Sequence, residues 1–208
     1  MPTRVITTVR HAATANAHRK IISGRLDEPL SPEGVDQARK LRADFGPFDA
    51  ELVVSSPLAR ALDTARVLTS RGDDAIERVA DCVERSYGLL EGMPPEEVAT
   101  WASRIRYVEV GGIEHSVDPP GGETLSELRR RCERFTARIL ARPVTTVTVF
   151  SHQVFLQQFQ GILLGLDLHE ALALDIAVLQ VDEFTLGAPG SPAGHRLVHA
   201  GIRSLKSW

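Results

Sequence analysis

The sequence predicts an α/β fold of three layers, α/β/α, built around a mainly parallel central sheet. Three observations point there. Short runs rich in β-branched residues, at residues 4–9, 52–54 and 145–150, alternate with segments of helical period. The clearest helical segments open on a Ser-Pro pair or a capping box. The 208 residues, 43% of them hydrophobic, suffice for one core, so residues 1–208 read as a single domain.

Arg4-Val5-Ile6-Thr7-Thr8-Val9 reads as a buried strand ending in a loop that opens with Arg10-His11. Ser31-Pro32 supplies a cap and a proline at the first helical position, and Val35, Ala38 and Leu41 give that helix an apolar stripe as far as Gly46-Pro47. Leu52-Val53-Val54 is the next strand. Ser56-Pro57 repeats the cap signal for a helix running to about residue 70, with Arg60 in its first turn. Residues 76–83 look strand-like. From about 93 to 119 the chain makes an excursion with no strong period and one helix near 96–106. Its aromatics Trp101 and Tyr107 mark it as packed over the active-site mouth rather than a linker.

A capping box at Thr124 and Glu127 starts the clearest helix, with Leu125, Leu128, Cys132, Phe135 and Ile139 on one face. Arg129, Arg130 and Arg131 read as its wet face. Residues 145–150 form a central strand, and Ser151 caps a buried helix over 154–164. Residues 177–181 and 196–199 close the chain as strands.

Charge and composition remove several classes of function. Lys and Arg number 24 against 27 Asp and Glu, so no global field gathers polyanions and nucleic acid is not an expected partner. No apolar run approaches the roughly 18 to 20 residues of a bilayer span, so no membrane is expected either. Residues 1–9 lack the apolar core of an export signal, which points to the cytoplasm. Cys82 and Cys132 stand in no CxxC or Cys/His cluster and read as reduced packing residues. His115, His169, His195 and His199 share no ligand spacing, so neither a metal nor a cofactor is expected.

Open parallel sheets bind ligands at the carboxyl ends of their strands. His11, Arg60 and His152 each come just after such an end. With Arg10 they make a rim suited to a dianion. Guanidinium forks pair with phosphoryl oxygens, helix N-termini add N–H groups, and a neutral imidazole attacks phosphorus. One preorganised donor is worth about 3 to 4 kcal/mol in such a transition state, and a cationic His152 would add another. Taken singly, the residues have blander readings: an Arg-His pair is usually surface, and a histidine after a buried strand is often a satisfied core residue.

The ordered set of motifs is more specific, and it resembles the histidine phosphatase superfamily, the phosphoglycerate-mutase-like fold, over nearly the whole chain. Arg10-His11-Ala12-Ala13-Thr14-Ala15-Asn16 is similar to that family's R-H-G-E-T-x-x-N segment. Residues 23–34 are similar to its G-R-x-D-x-P-L-T-x-x-G continuation, and Ser55-Ser56-Pro57-Leu58-Ala59-Arg60 to its second arginine motif. Glu84-Arg85-Ser86-Tyr87-Gly88-Leu89-Leu90-Glu91-Gly92 resembles the acidic block, Pro120-Gly121-Gly122-Glu123-Thr124 the P-G-G-E-S turn, and Ser151-His152 the final S-H.

The resemblance implies a metal-independent phosphomonoesterase for a small phosphorylated substrate. His11 becomes phosphorylated, Arg10, Arg60 and His152 hold the phosphoryl oxygens, and Asn16 and Ser23 help bind substrate. Glu84, ahead of Glu91 in the block, protonates the leaving oxygen and then assists water. Such an acid needs burial or a neighbouring negative charge to hold its proton at neutral pH. A homodimer is compatible with the sequence.

Two other readings stay open. A cofactor-dependent phosphoglycerate mutase carries an E-R-H-Y-G block with a lysine after it. Here Ser86 replaces the histidine and no lysine occurs between Lys40 and Lys206, although Arg85 and Tyr87 remain. A weakly catalytic phospho-ligand or protein-binding module is suggested by Ala12 and Gln153, which stand where the family has glycine and exclude a comfortable positive φ.

Overall fold

The structure is a computed structural model that describes residues 3–19, 21–187 and 193–202. A six-stranded sheet is built from β1 (Arg4–Arg10), β2 (Leu52–Ser55), β3 (Ile76–Arg78), β6 (Thr146–Ser151), β7 (Val181–Leu186) and β8 (Gly194–His199). Its order is β3-β2-β6-β1-β7-β8. The first four strands run parallel, whereas β7 pairs antiparallel with β1 and β8 antiparallel with β7. The parallel majority matches the sequence reading, and the antiparallel pair forms one flank.

Helices cover both faces. α1 (Pro32–Phe45) and α2 (Ala59–Leu68) bury Ala38, Leu41, Leu62, Ala65 and Leu68 against Val9, Val53 and Phe150. On the other face α4 (Leu125–Leu140) and α5 (Gln153–Leu164) pack Phe135, Phe155 and Phe159 onto Ile6, Val54, Val147 and Val149. Successive strand residues thus serve opposite cores, as the pleat requires. A short α6 (Leu168–Leu172), which the sequence reading did not anticipate, opens on a capping box between Asp167 and Glu170. No helix among the described residues is long and apolar enough to cross a membrane.

Several boundaries differ from the sequence reading. Ser56 does not cap α2: Leu58 occupies the cap position, and the carboxylate of Asp27 accepts the N–H of Ala59 at 2.7 Å instead. Ser151 remains in β6, its hydroxyl donating to the Cys82 carbonyl, and His152 holds the cap position of α5. The strand read at residues 177–181 contributes only Val181 to β7. Leu179 adopts φ 57, and the Gln180 carbonyl accepts the N–H of Arg10, so this apolar run folds into a buried loop beside β1. Only residues 76–78 of the segment 76–83 pair as a strand, and a 3-10 turn comes next at Ala80–Cys82.

Within the excursion, α3 (Pro95–Ala99) leads to an antiparallel hairpin, β4 (Tyr107–Val110) and β5 (Ile113–Ser116). The hairpin turns at Gly111-Gly112, both with positive φ. Tyr107 is not buried there but 39% exposed. Val35 is only half-buried, and Gly34 packs in its place. A Cβ at Gly34 would lie 2.2 Å from the Ala13 carbonyl, so glycine lets α1 press directly on the loop after β1. Both cysteines are free and buried, as packing residues should be.

The Phe135 ring meets Phe155 and Phe159 edge-on at 5.3 and 5.1 Å with no exposed area. Phe135→Ala is expected to cost about 3–5 kcal/mol in urea unfolding; a loss below about 1 kcal/mol would contradict this core assignment.

Candidate active site

Strand order assembles the site. β1 and β6 are neighbours in register, Arg10 opposite Ser151, so the next residues along each strand, His11 and His152, emerge side by side. The His11 N–H donates to the Ser151 carbonyl at 3.0 Å, and the two imidazole centroids lie 5.1 Å apart. β2 flanks β6 with Ser55 opposite Phe150, which delivers Ser56 and the start of α2 to the same end. Thr64 of α2 accepts the N–H of Ala12 through its hydroxyl at 3.0 Å and donates that hydroxyl to the Arg60 carbonyl at 2.7 Å. The loop after β1 and the helix carrying Arg60 are thereby joined.

A cleft at this edge is lined by Arg10, His11, Asn16, Ser23, Arg60 and Glu84, together with Tyr87 and Gln153. His152 is also brought here but lies fully buried behind His11. Its Nδ1 accepts from Arg60 Nε at 3.2 Å, so its Nε2 carries the proton donated to Ser56 Oγ at 2.8 Å. Arg60 is 1% exposed, and its terminal nitrogens donate to the carbonyls of Leu26 and Gly24 at 2.6 and 2.7 Å. The loop of residues 23–27 therefore fixes the guanidinium plane. Arg10 donates to the Ile176 carbonyl at 2.6 Å.

Burial acts on the two arginines and the two histidines. It lowers the Arg10 guanidinium to about 10, with Glu84 opposing and Arg60 adding to the shift, so Arg10 stays charged at neutral pH. Burial likewise lowers Arg60, against the attraction of Glu84 and Glu28. Both histidines are driven well below their ordinary value. For His11 the causes are burial, then Arg60 and Arg10; for His152 they are burial, then Arg60, His11 and Arg10. His152 is thus neutral rather than cationic. His11 Nδ1 lies 2.8 Å from the Ala12 carbonyl, which assigns it the proton and leaves an unshared pair on Nε2.

Glu84, 8% exposed, sits at the α5 N-terminus. Its carboxylate accepts the N–H groups of Arg85 and Phe155 at 2.8 and 3.1 Å and of Val154 at 3.2 Å. Glu91 stands just outside the lining, its carboxylate against Gly24, where it accepts from Ser86 Oγ and the Tyr87 N–H. Arg131 departs most from the sequence reading. It is 6% exposed, paired doubly with Glu123 at 2.8 and 2.6 Å, and it donates to the carbonyls of Asp81, Val83 and Glu84. This buried clamp sets the position of the Glu84 segment. Ser56, Thr64 and Arg131 escaped the sequence reading because each carried a commoner signal: a helix cap, a helix interior and a wet face.

Ala12 and Gln153 pose no conformational problem, since Leu179 is the one non-glycine residue at positive φ among the described residues. The model of the histidine phosphatase superfamily, branch 1, matches residues 6–191. The chain belongs to this family. Fructose-2,6-bisphosphatase TIGAR of Bos taurus is 34% identical over 136 residues, 62% of this chain and 48% of that protein. The chain thus spans about half the length of that relative. A 2,3-bisphosphoglycerate-dependent phosphoglycerate mutase of Rhizobium etli is 29% identical over 185 residues, covering 84% of this chain and 86% of the mutase. The α-ribazole phosphatase structure from Shigella flexneri superposes with a TM-score of 0.78 at 22% identity, covering 95% of this chain and 98% of that one.

Because both imidazoles are depressed in the fold, the unfolded chain takes up their protons first as pH falls below about 6.5. Stability is therefore expected to fall on acidification, by up to about 1.4 kcal/mol per pH unit for each histidine until its folded-state value is reached. Urea melts between about pH 7 and 5 test this. His152→Asn should flatten the slope relative to the parent, and an unchanged slope would show that His152 is not held neutral.

Proposed function

We propose that this chain hydrolyses phosphomonoesters of small metabolites through a phosphohistidine on His11, without a metal ion. The observation that carries the reading is the His11 imidazole, tied through Nδ1 to the carbonyl of the next residue, Ala12, so that Nε2 offers its electron pair within a cleft bordered by Arg10 and Arg60.

A phosphate dianion entering the cleft meets two fixed positive charges whose burial strengthens their attraction for it. Attack by Nε2 forms the N–P bond as the P–O ester bond breaks. Glu84, in its acid form, hands a proton to the departing oxygen. In the second half, Glu84 takes a proton from water, the oxygen of that water bonds to phosphorus, and the N–P bond breaks to release phosphate and restore His11. The guanidinium groups supply the charge stabilisation that a phosphoryl transfer needs, so no step requires a metal. His152 supports Arg60 through Nδ1 and can offer Nε2–H to a phosphoryl oxygen by leaving Ser56. Asn16 lines the mouth. The Ser23 hydroxyl donates to Glu28 at 3.2 Å, so it faces substrate as an acceptor. Residues 93–119 form the roof of the mouth in this reading, tied to it where the Ile22 N–H donates to the Met93 carbonyl.

Of the two residues that keep the mutase alternative open, Tyr87 lines the cleft, whereas Arg85 speaks against that reading. That guanidinium is 1% exposed and donates to the carbonyls of Glu123, Ser116 and Val117, which leaves it holding the chain rather than a substrate carboxylate. The binding-module alternative rested on strain at Ala12 and Gln153, and neither has a positive φ.

His11→Ala is expected to abolish turnover of p-nitrophenyl phosphate and the acid-labile phosphate trapped on the parent enzyme, while EDTA leaves the parent rate unchanged. Equal rates in mutant and parent would remove His11 from the mechanism. Glu84→Gln should slow single-turnover release of the alcohol from an alkyl phosphate by about 10²–10⁴ and release of p-nitrophenolate much less, because nitrophenolate departs without a proton. Equal slowing of both releases in that first half-reaction would deny Glu84 its role as acid.

A further inference from the structure

Beside the phosphoryl cleft lies a second space of about 450 Å³. It is an open groove with an apolar lining of Ile22, Pro95, Val98, Ala99 and Ala102, to which Tyr107 and Glu114 also contribute, and most of these residues are exposed. Ile22 lines both spaces. It is a fixed partition: its N–H donates to the Met93 carbonyl at 3.1 Å and its carbonyl accepts from Gly92 at 2.8 Å. Whatever is esterified to a phosphate held by Arg10 and Arg60 has this chamber directly across Ile22.

The charges of the two spaces are unevenly spread. Among the described lining residues, the cations are Arg10 and Arg60, with His11 beside them, all on the cleft side of Ile22. The chamber contributes one ionisable group of opposite sign, Glu114. On the cleft wall Ser23 has its hydroxyl proton engaged by Glu28 and adds an acceptor rather than a donor. A leaving group with a carboxylate or a second phosphate would bring an anion beside the Glu114 carboxylate, a repulsion that solvent screens in part because Glu114 is exposed. A ring or branched hydrocarbon would instead cover apolar surface.

We propose that the chamber holds the alcohol part of the substrate, and that this alcohol is apolar, about the size of one or two rings, and carries no second anionic group. The assignment rests on the phosphatase reading above. It also separates this chain from any enzyme whose substrate is a bisphosphate or a phosphorylated carboxylic acid.

The test compares kcat/KM for three alkyl phosphates whose leaving alcohols differ mainly in size and charge: ethyl phosphate, benzyl phosphate and 4-carboxybenzyl phosphate. Benzyl phosphate should exceed ethyl phosphate by about tenfold or more, the worth of a partly buried ring, and the carboxylate should take most of that gain away. Glu114→Lys should raise the carboxybenzyl ester relative to the benzyl ester, and Ala102→Trp, which fills the chamber, should bring benzyl down toward ethyl. Turnover of ethyl phosphate with no preference for benzyl, or a preference for the carboxylate, overturns this inference and leaves the phosphatase reading standing. Failure to hydrolyse all three esters and p-nitrophenyl phosphate overturns both.

Discussion

The pairing of β1 with β6 is the constraint on which the rest of this structure depends. These two strands are separated by most of the chain, yet their parallel register sets Arg10 opposite Ser151 and carries both histidines past the sheet edge together. A slip of one residue would turn every side chain of β6 to the other face and break the ladder from Val5 to Arg10. The register is held by opposed cores: Val147 and Val149 belong to the aromatic cluster under α4 and α5, and Phe150 belongs to the cluster under α1 and α2. Precision at the reactive edge is therefore inherited from packing on both sides of the sheet rather than from the loops themselves.

Around that edge, buried charges are arranged in tiers. Arg10 and Arg60 border the cleft, His152 and Ser56 stand behind Arg60, and Arg131 with Glu123 fixes the segment that carries Glu84. Each guanidinium spends donors on backbone carbonyls, which gives it a defined plane at the cost of desolvation. Burial, reinforced by these two arginines, also keeps the neighbouring imidazoles neutral. A histidine without a proton on Nε2 is a competent nucleophile, so the same electrostatics that would hold a dianion also prepares the group that would attack it.

Most of the fold and the central site residues were legible in the sequence, for identifiable reasons. A β-branched run leading into Arg10-His11, and another leading into Ser151-His152, announce strand ends where ligands gather. The capping box at Thr124 and Glu127 marked α4 to the residue. Other features depend on tertiary partners that no local pattern announces. The partner of Arg131 is Glu123, the residue just before the helix cap, and helical period alone places that arginine at the border of the wet face. Ser56 precedes a proline and so looked like a cap, whereas its hydroxyl serves His152. The hairpin at β4 and β5 is largely exposed on both faces and shows no clean alternation of apolar and polar residues. The apolar run before β7 looked like strand because burial in a loop beside Arg10 selects the same residue types.

The mooring of residues 93–119 has an evolutionary consequence. At one end the segment is held by the backbone pair at Ile22, and at the other by Arg85 gripping the carbonyls of Ser116 and Val117. Neither anchor reads the side chains in between. Substitutions within the stretch therefore leave both moorings in place, so its sequence can diverge without unfastening the backbone around the cleft.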